Sequence, residues 1–283
     1  MKSSDDNGGR TYNWTDNELR MIKYMCENDG MQFLRYFFKL REGNTMVRNW
    51  HHYVIEYVLQ KVYDCKINRL IINIPPGYTK TEQAVINFIG RGLAKNPRSK
   101  YIHTSYSASL AADNSGKVRE MINLPEYQEL WPMVPKMDTD SKSKWFVEQG
   151  GGMMATAAGG QITGFRAGRM EDGFTGAFII DDPVKPDDAY SEVRRAGINN
   201  RFNNTMRSRL AVETVPMIVI MQRIHEDDLS GYLLKGGSGD MWDHLVIPAM
   251  LSEEELTKEY DKDYTHGRKI DINDVLAELR GAA

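Results

Sequence analysis

The chain has little cysteine, little net charge and no long hydrophobic run, and each shortage excludes something. Its 283 residues include 2 cysteines, Cys26 and Cys65, which give neither a disulfide framework nor a zinc-ligand spacing and fit two buried thiols in a reducing compartment. No apolar stretch approaches the ~18 residues a membrane span needs, and the opening "MKSSDDNGGR" has no apolar core of a signal peptide, so no membrane partner is expected. With 36 Lys and Arg against 39 Asp and Glu, the net charge is -3, and contact with nucleic acid has to come from local basic clusters. The expected organisation is a disordered start over 1-13, a main domain over 14-250 and an acidic tail or linker over 251-283.

Glycine is missing where it matters most. In "RLIINIPPGYTKTEQA", residues 69–84, a buried-looking strand feeds through Pro75, Pro76 and Gly77 into Lys80 and Thr81 at the head of a helical pattern. That is the layout of a phosphate-binding loop, whose backbone N–H groups and helix start face an anion while the lysine reaches the terminal phosphates and the next hydroxyl serves Mg²⁺. The usual glycine before the lysine is Thr79, and the one at the loop's start is Ile74. A β-branched residue resists positive φ, so Thr79 is expected at negative φ, with Gly77 supplying the flexibility.

Apolar runs at 70–74, 101–105, 177–181 and 217–221 read as buried strands, and helical patterns separate several of them. Thr15 and Glu18 have capping-box spacing ahead of a short helix that Gly30 ends, and a second amphipathic pattern starts at Trp50. Strands alternating with helices predict an α/β fold with a mainly parallel central sheet covered on both faces. Between about 125 and 176, Gly and Pro are too frequent for long helices, and an insertion-like hairpin or irregular segment with mobile loops is expected.

"AFIIDDP" ends a strand in Asp181 and Asp182, about a hundred residues after the lysine, where a phosphate-loop NTPase carries its Mg²⁺ acid and its water-activating acid. "MIVIMQRIHEDDLSG" ends another strand in Gln222 and Arg223, facing the same crevice. A helical zinc pair would need a second His four residues after His225, and that position is Leu229.

These stretches, with "SYSASLAADNSGKVREMI", "GGQITGFRAG" and "DDPVKPDDAYSE", resemble the large terminase subunit of tailed double-stranded DNA bacteriophages over about residues 30 to 280. The resemblance implies a P-loop NTPase of the additional-strand type, using ATP and Mg²⁺ to drive double-stranded DNA into a procapsid. It implies Lys80 and Thr81 as the Walker A pair, within a nucleotide-binding loop of Pro76, Gly77, Tyr78, Thr79, Lys80, Thr81 and Glu82. Asp181 becomes the metal acid and Asp182 the catalytic carboxylate, with Gln222 and Arg223 coupling hydrolysis to DNA movement. Arg166, with Arg169 as backup, matches an arginine offered to a neighbouring subunit, and Trp50, His51 and His52 match the adenine side.

Implied partners are DNA, other large subunits in a ring, the portal protein and the small terminase subunit, in the host cytoplasm and transiently at the portal vertex. The family's nuclease domain would follow the motor and has no room before Ala283, so ATP hydrolysis without DNA cleavage is expected. Arg194, Arg195, Arg201, Arg207 and Arg209 form the best local cluster for phosphate contact. Two alternatives stay open. One is a two-metal nuclease built from the Asp181/Asp182, Asp187/Asp188 and Asp227/Asp228 pairs. The other is a nonhydrolytic DNA-binding packaging subunit.

Overall fold

The computed structural model describes residues 14–136 and 141–281. The expected disordered start and residues 138–140 of the charged run therefore lie outside the described residues.

Helix α1 (Asp16–Asn28) opens on the capping box that the sequence indicated: Thr15 Oγ1 accepts the Glu18 N–H, and the Glu18 carboxylate accepts the Thr15 N–H at 2.8 Å. Gly30 does not end the helical region. Asp29 closes α1 and caps α2 (Gly30–Glu42), its carboxylate accepting the N–H groups of Met31 and Gln32. One short acid thus stops one helix and starts the next, a helix that periodicity alone had not separated. Helix α3 (Trp50–Tyr63) follows and leads to the sheet.

The sheet has eight strands in the order β3-β4-β2-β5-β6-β1-β7-β8. They are β1 (Arg69–Asn73), β2 (Lys100–Ser105), β3 (Lys144–Phe146), β4 (Gly152–Ala157), β5 (Gly176–Asp181), β6 (Met217–Met221), β7 (Trp242–Val246) and β8 (Gly267–Lys269). Among the described strands, only the β3–β4 pair is antiparallel. Strand β6 stands between β1 and β5, which is the additional-strand arrangement of P-loop NTPases.

Alternation along each central strand divides the core between two faces. Leu70, Ile72, Ile218 and Ile220 join the side chains of α1 to α3, while Ile71, Met217, Val219 and Met221 pack on the opposite face with Phe202 and Leu233. Phe202 follows α7 (Glu192–Arg201) and Leu233 lies in α8 (Leu229–Leu234). Among the described residues, no helix is long and apolar enough to cross a membrane.

Three segments differ from the sequence expectation. The Gly-rich segment is part of the sheet: β4 pairs with β2 over its whole length, and only β3 makes the expected hairpin with it. Strand β7 escaped notice because Asp243 and His244 interrupt its apolar run, yet both are buried with partners, Arg268 for the acid and Asn73 for the imidazole. The acidic tail continues the same body, since β8 pairs with β7, and Ile272 and Val275 of α10 (Ile272–Gly281) are buried in the core.

Candidate nucleotide site

Strands β1 and β5 are not neighbours, but their carboxyl ends open onto one crevice beside the loop that follows β1. Lys80 Nζ lies 2.7 and 2.9 Å from the two carboxylate oxygens of Asp182, and Thr81 Oγ1 donates to Asp181 Oδ2 at 2.6 Å. Consecutive residues of one loop thus meet consecutive residues of a strand a hundred positions later. The Gln222 N–H, at the end of β6, donates to Asp182 Oδ1 at 3.2 Å, so the intervening strand also fixes that carboxylate. Asp182 has φ +42°, a left-handed conformation that turns its side chain back across the strand ends.

Asp181 is almost fully buried, and its Oδ1 has no hydrogen-bond partner among the described residues. Burial first, and the neighbouring charge of Asp182 second, raise its carboxyl to about 7 against the opposing pull of Thr81 and Lys80. A buried carboxylate with a vacant oxygen, next to a threonine hydroxyl, is a donor set suited to a hard divalent cation. Mg²⁺ therefore fits these residues.

The loop departs from the sequence expectation at Thr79. Its φ is +57°, not negative, so threonine occupies the left-handed geometry that glycine supplies elsewhere. The compensation comes from outside the loop. His52 Nδ1 accepts the Asn49 N–H, which leaves the hydrogen on Nε2 facing Thr79 Oγ1 at 2.8 Å, while Thr79 Oγ1 donates to the Tyr78 carbonyl at 2.7 Å. Gly77 has the positive φ expected of it, +82°. Beyond the loop, a helical turn at Lys80 and Thr81 runs into a π-helical stretch, Glu82–Asn87, and then α4 (Phe88–Lys95). Asn87 Nδ2 donates to the Glu82 carbonyl at 2.9 Å, capping a group within this wider turn.

Several expected site residues are occupied otherwise. Glu82 holds Arg41 through two bonds at 3.0 and 3.2 Å. Both ring nitrogens of His52 are engaged, by the Asn49 N–H and by Thr79 Oγ1. His51 is buried against Tyr78, ring centroids 5.0 Å apart, and neither of its ring nitrogens has a hydrogen-bond partner among the described residues. Trp50 packs edge-on beside it. Tyr78 donates to the Ala249 carbonyl at 2.7 Å, tying the loop to the chain after β7. Pro76 is exposed at the loop's start.

No family model and no curated protein matches the chain. The fold is similar to that of a phage large terminase. That structure, of bacteriophage HK97, is 15% identical over 90% of this chain and 52% of its own, at a TM-score of 0.48. A chain from S. cerevisiae Dbp5 bound to Nup159, Gle1, IP6 and ADP is 12% identical over 76% of this chain and 52% of its own, at a TM-score of 0.43. The present chain spans about half the length of each.

Two expected arginines are not brought to the crevice. Arg166 donates to the carbonyls of Ser208 and Leu210, and Gly168 N–H bonds to the carbonyl of Lys100, the first residue of β2. This is the amino end of the strands, roughly 15 Å of strand length from the loop. Arg169 is tied at the same end to the carbonyls of Arg98 and Gly150. Arg223 begins near the crevice but turns away, held by Asp228 at 3.0 Å, by Tyr264 at 2.6 Å and by two carbonyls. Asp228 in turn caps α8, and Asp227 pairs with Lys235. The Asp pairs of the nuclease alternative do not converge: among the described residues, no three His, Cys, Asp or Glu form a metal-holding group.

In the basic cluster, Arg207 pairs with Asp240, and Arg195 donates to the Ala189 carbonyl. Arg194 and Arg201 instead line an open cleft with Tyr106, Lys185 and Pro183, immediately beside Asp182. Arg41, which sequence reasoning missed, carried no motif signal because its role depends on a fold contact with Glu82.

Proposed function

We propose that this chain is an ATP-hydrolysing motor domain of the terminase large-subunit type, which moves double-stranded DNA. The observation that carries the reading is the double pairing of Lys80 with Asp182 and Thr81 with Asp181 at the ends of β1 and β5. Triphosphate entering the loop takes the Lys80 ammonium as its counter-charge, and the release of Asp182 from that ion pair leaves its carboxylate to accept a hydrogen bond from the attacking water. Thr81 and Asp181 would hold Mg²⁺, which when bound neutralises charge on the phosphates. The Gln222 N–H keeps Asp182 aimed at the crevice, and that link ties the carboxylate to the strand that continues into Arg223.

The adenine belongs in this reading beside Trp50 and His51, and the unpartnered ring nitrogens of His51 suit a heterocycle's edge. Arg194, Arg201 and Lys185, beside the crevice, serve the DNA phosphates. Arg166, far from its own chain's crevice, would act only on a neighbouring copy in a ring. Portal protein and small subunit complete the proposed assembly in the host cytoplasm. The test is Mg²⁺-dependent ATP turnover with plasmid in the same tube: turnover with intact plasmid supports the motor, and plasmid cleavage that survives loss of Lys80 replaces it with the nuclease. Intact plasmid without turnover, at protein concentrations high enough to form a ring, favours the nonhydrolytic subunit.

A further inference from the structure

We infer that His52 is a positioning residue for the phosphate loop, and that the His52–Thr79 pair takes the place of the glycine the loop lacks. The inference rests on the nucleotide-site reading and adds to it a residue outside the motif. A β-branched residue at positive φ is costly, and such strain persists only where surroundings over-determine it. The surroundings are specific here. Thr79 Oγ1 receives the His52 Nε2–H and passes its own hydrogen to the Tyr78 carbonyl, so the side chain is fixed from both sides.

His52 is itself immobilised. It is 4% exposed, its Nδ1 accepts the Asn49 N–H, and its ring lies 3.9 Å from that of His51. Its carbonyl accepts a 3.1 Å hydrogen bond from Gln83, a buried residue of the helix that follows the loop. His52 therefore braces the loop at Thr79 and, through Gln83, the helix start whose N–H groups face the phosphates. Burial lowers its imidazole to about 4, so the ring is neutral near pH 7 and keeps the single tautomer this geometry needs.

A glycine at position 79 needs no brace, so the two substitutions must be non-additive. The probe is a fluorescent ATP analogue with Mg²⁺, titrated against the full chain. His52→Phe keeps the ring volume and removes the donor; it should weaken binding about tenfold, the scale expected for a strained non-glycine residue left unsupported. In the Thr79→Gly background the same change should cost less than about twofold. His52→Gln, which restores an N–H donor, should recover part of the loss. Equal losses in both backgrounds, or no loss in either, overturns the inference. Lys80→Ala is the separate control: if it binds as tightly as the parent, or the parent binds no nucleotide, the phosphate-loop reading fails first. Loss of binding with Lys80→Ala, together with additive His52 and Thr79 effects, sinks the positioning role alone.

Discussion

Replacing Asp181 by Asn should stabilise the protein in a pH-dependent way. The carboxyl is 2% exposed and is raised from 3.8 to about 7, chiefly by burial and then by the charge of Asp182. Between those pH values the folded carboxyl keeps a proton that the unfolded one has released. Its contribution to stability is fully present below pH 3.8 and is lost as pH rises through about 7. The gap between the two values corresponds to on the order of 4 kcal/mol at pH 8. Asparagine keeps the shape and the oxygen that accepts the Thr81 hydroxyl, but carries no charge. In a chain of 283 residues, that energy corresponds to a melting temperature roughly 6–8 °C higher for Asp181→Asn at pH 8, shrinking towards zero near pH 4. Thermal melts of both proteins from pH 4 to 8, without Mg²⁺, give the difference directly, so other titrating groups cancel. A difference that does not change with pH, or a variant less stable at pH 8, would refute the reasoning. Such a gain at the cost of a proposed metal ligand is the usual exchange between stability and function at a buried site.

Arg41→Met should destabilise the fold by about 3 kcal/mol, because it leaves the Glu82 carboxylate without its buried counter-ion. Adding Glu82→Gln should recover much of that in urea melts, and additive losses would contradict the pairing. His244 is held to about 3 by burial and by Arg223, so its contribution is present above pH 6.5 and is lost as pH falls through about 3. His244→Gln should therefore flatten the acid limb of stability below pH 6.5; an unchanged slope would count against a buried neutral His244.

How much of this was legible in sequence follows the physics of each segment. The four strands built from unbroken apolar runs are found within a residue of their expected ends, because full burial on both faces leaves no polar position to disguise them. Strands β4, β7 and β8 were hidden. Strand β4, "GMMATA", follows a glycine run and sets two methionines side by side instead of alternating, and β8, "GRK", has no apolar residue at all. Lys80, Thr81, Asp181 and Asp182, marked in sequence by a strand-to-helix loop and a strand end, do meet in the fold. Thr79 was misread because its conformation depends on His52, which lies 27 residues earlier and enters only through the fold. Where Arg166 lies was hidden for a similar reason: local sequence marks an arginine, but the path from β4 down to the amino end of β2 carries it away from its own crevice.

The central claim is that the loop at Lys80 and the acids at the end of β5 form one ATP-hydrolysing site. Steady-state phosphate release with Mg²⁺ and ATP, for the chain, Lys80→Ala and Asp182→Asn, tests it most directly. The parent should turn over ATP, Lys80→Ala should lose both nucleotide binding and turnover, and Asp182→Asn should keep binding with turnover down at least about a hundredfold, the scale of a lost acid–base group. Undiminished turnover in either variant would contradict the claim.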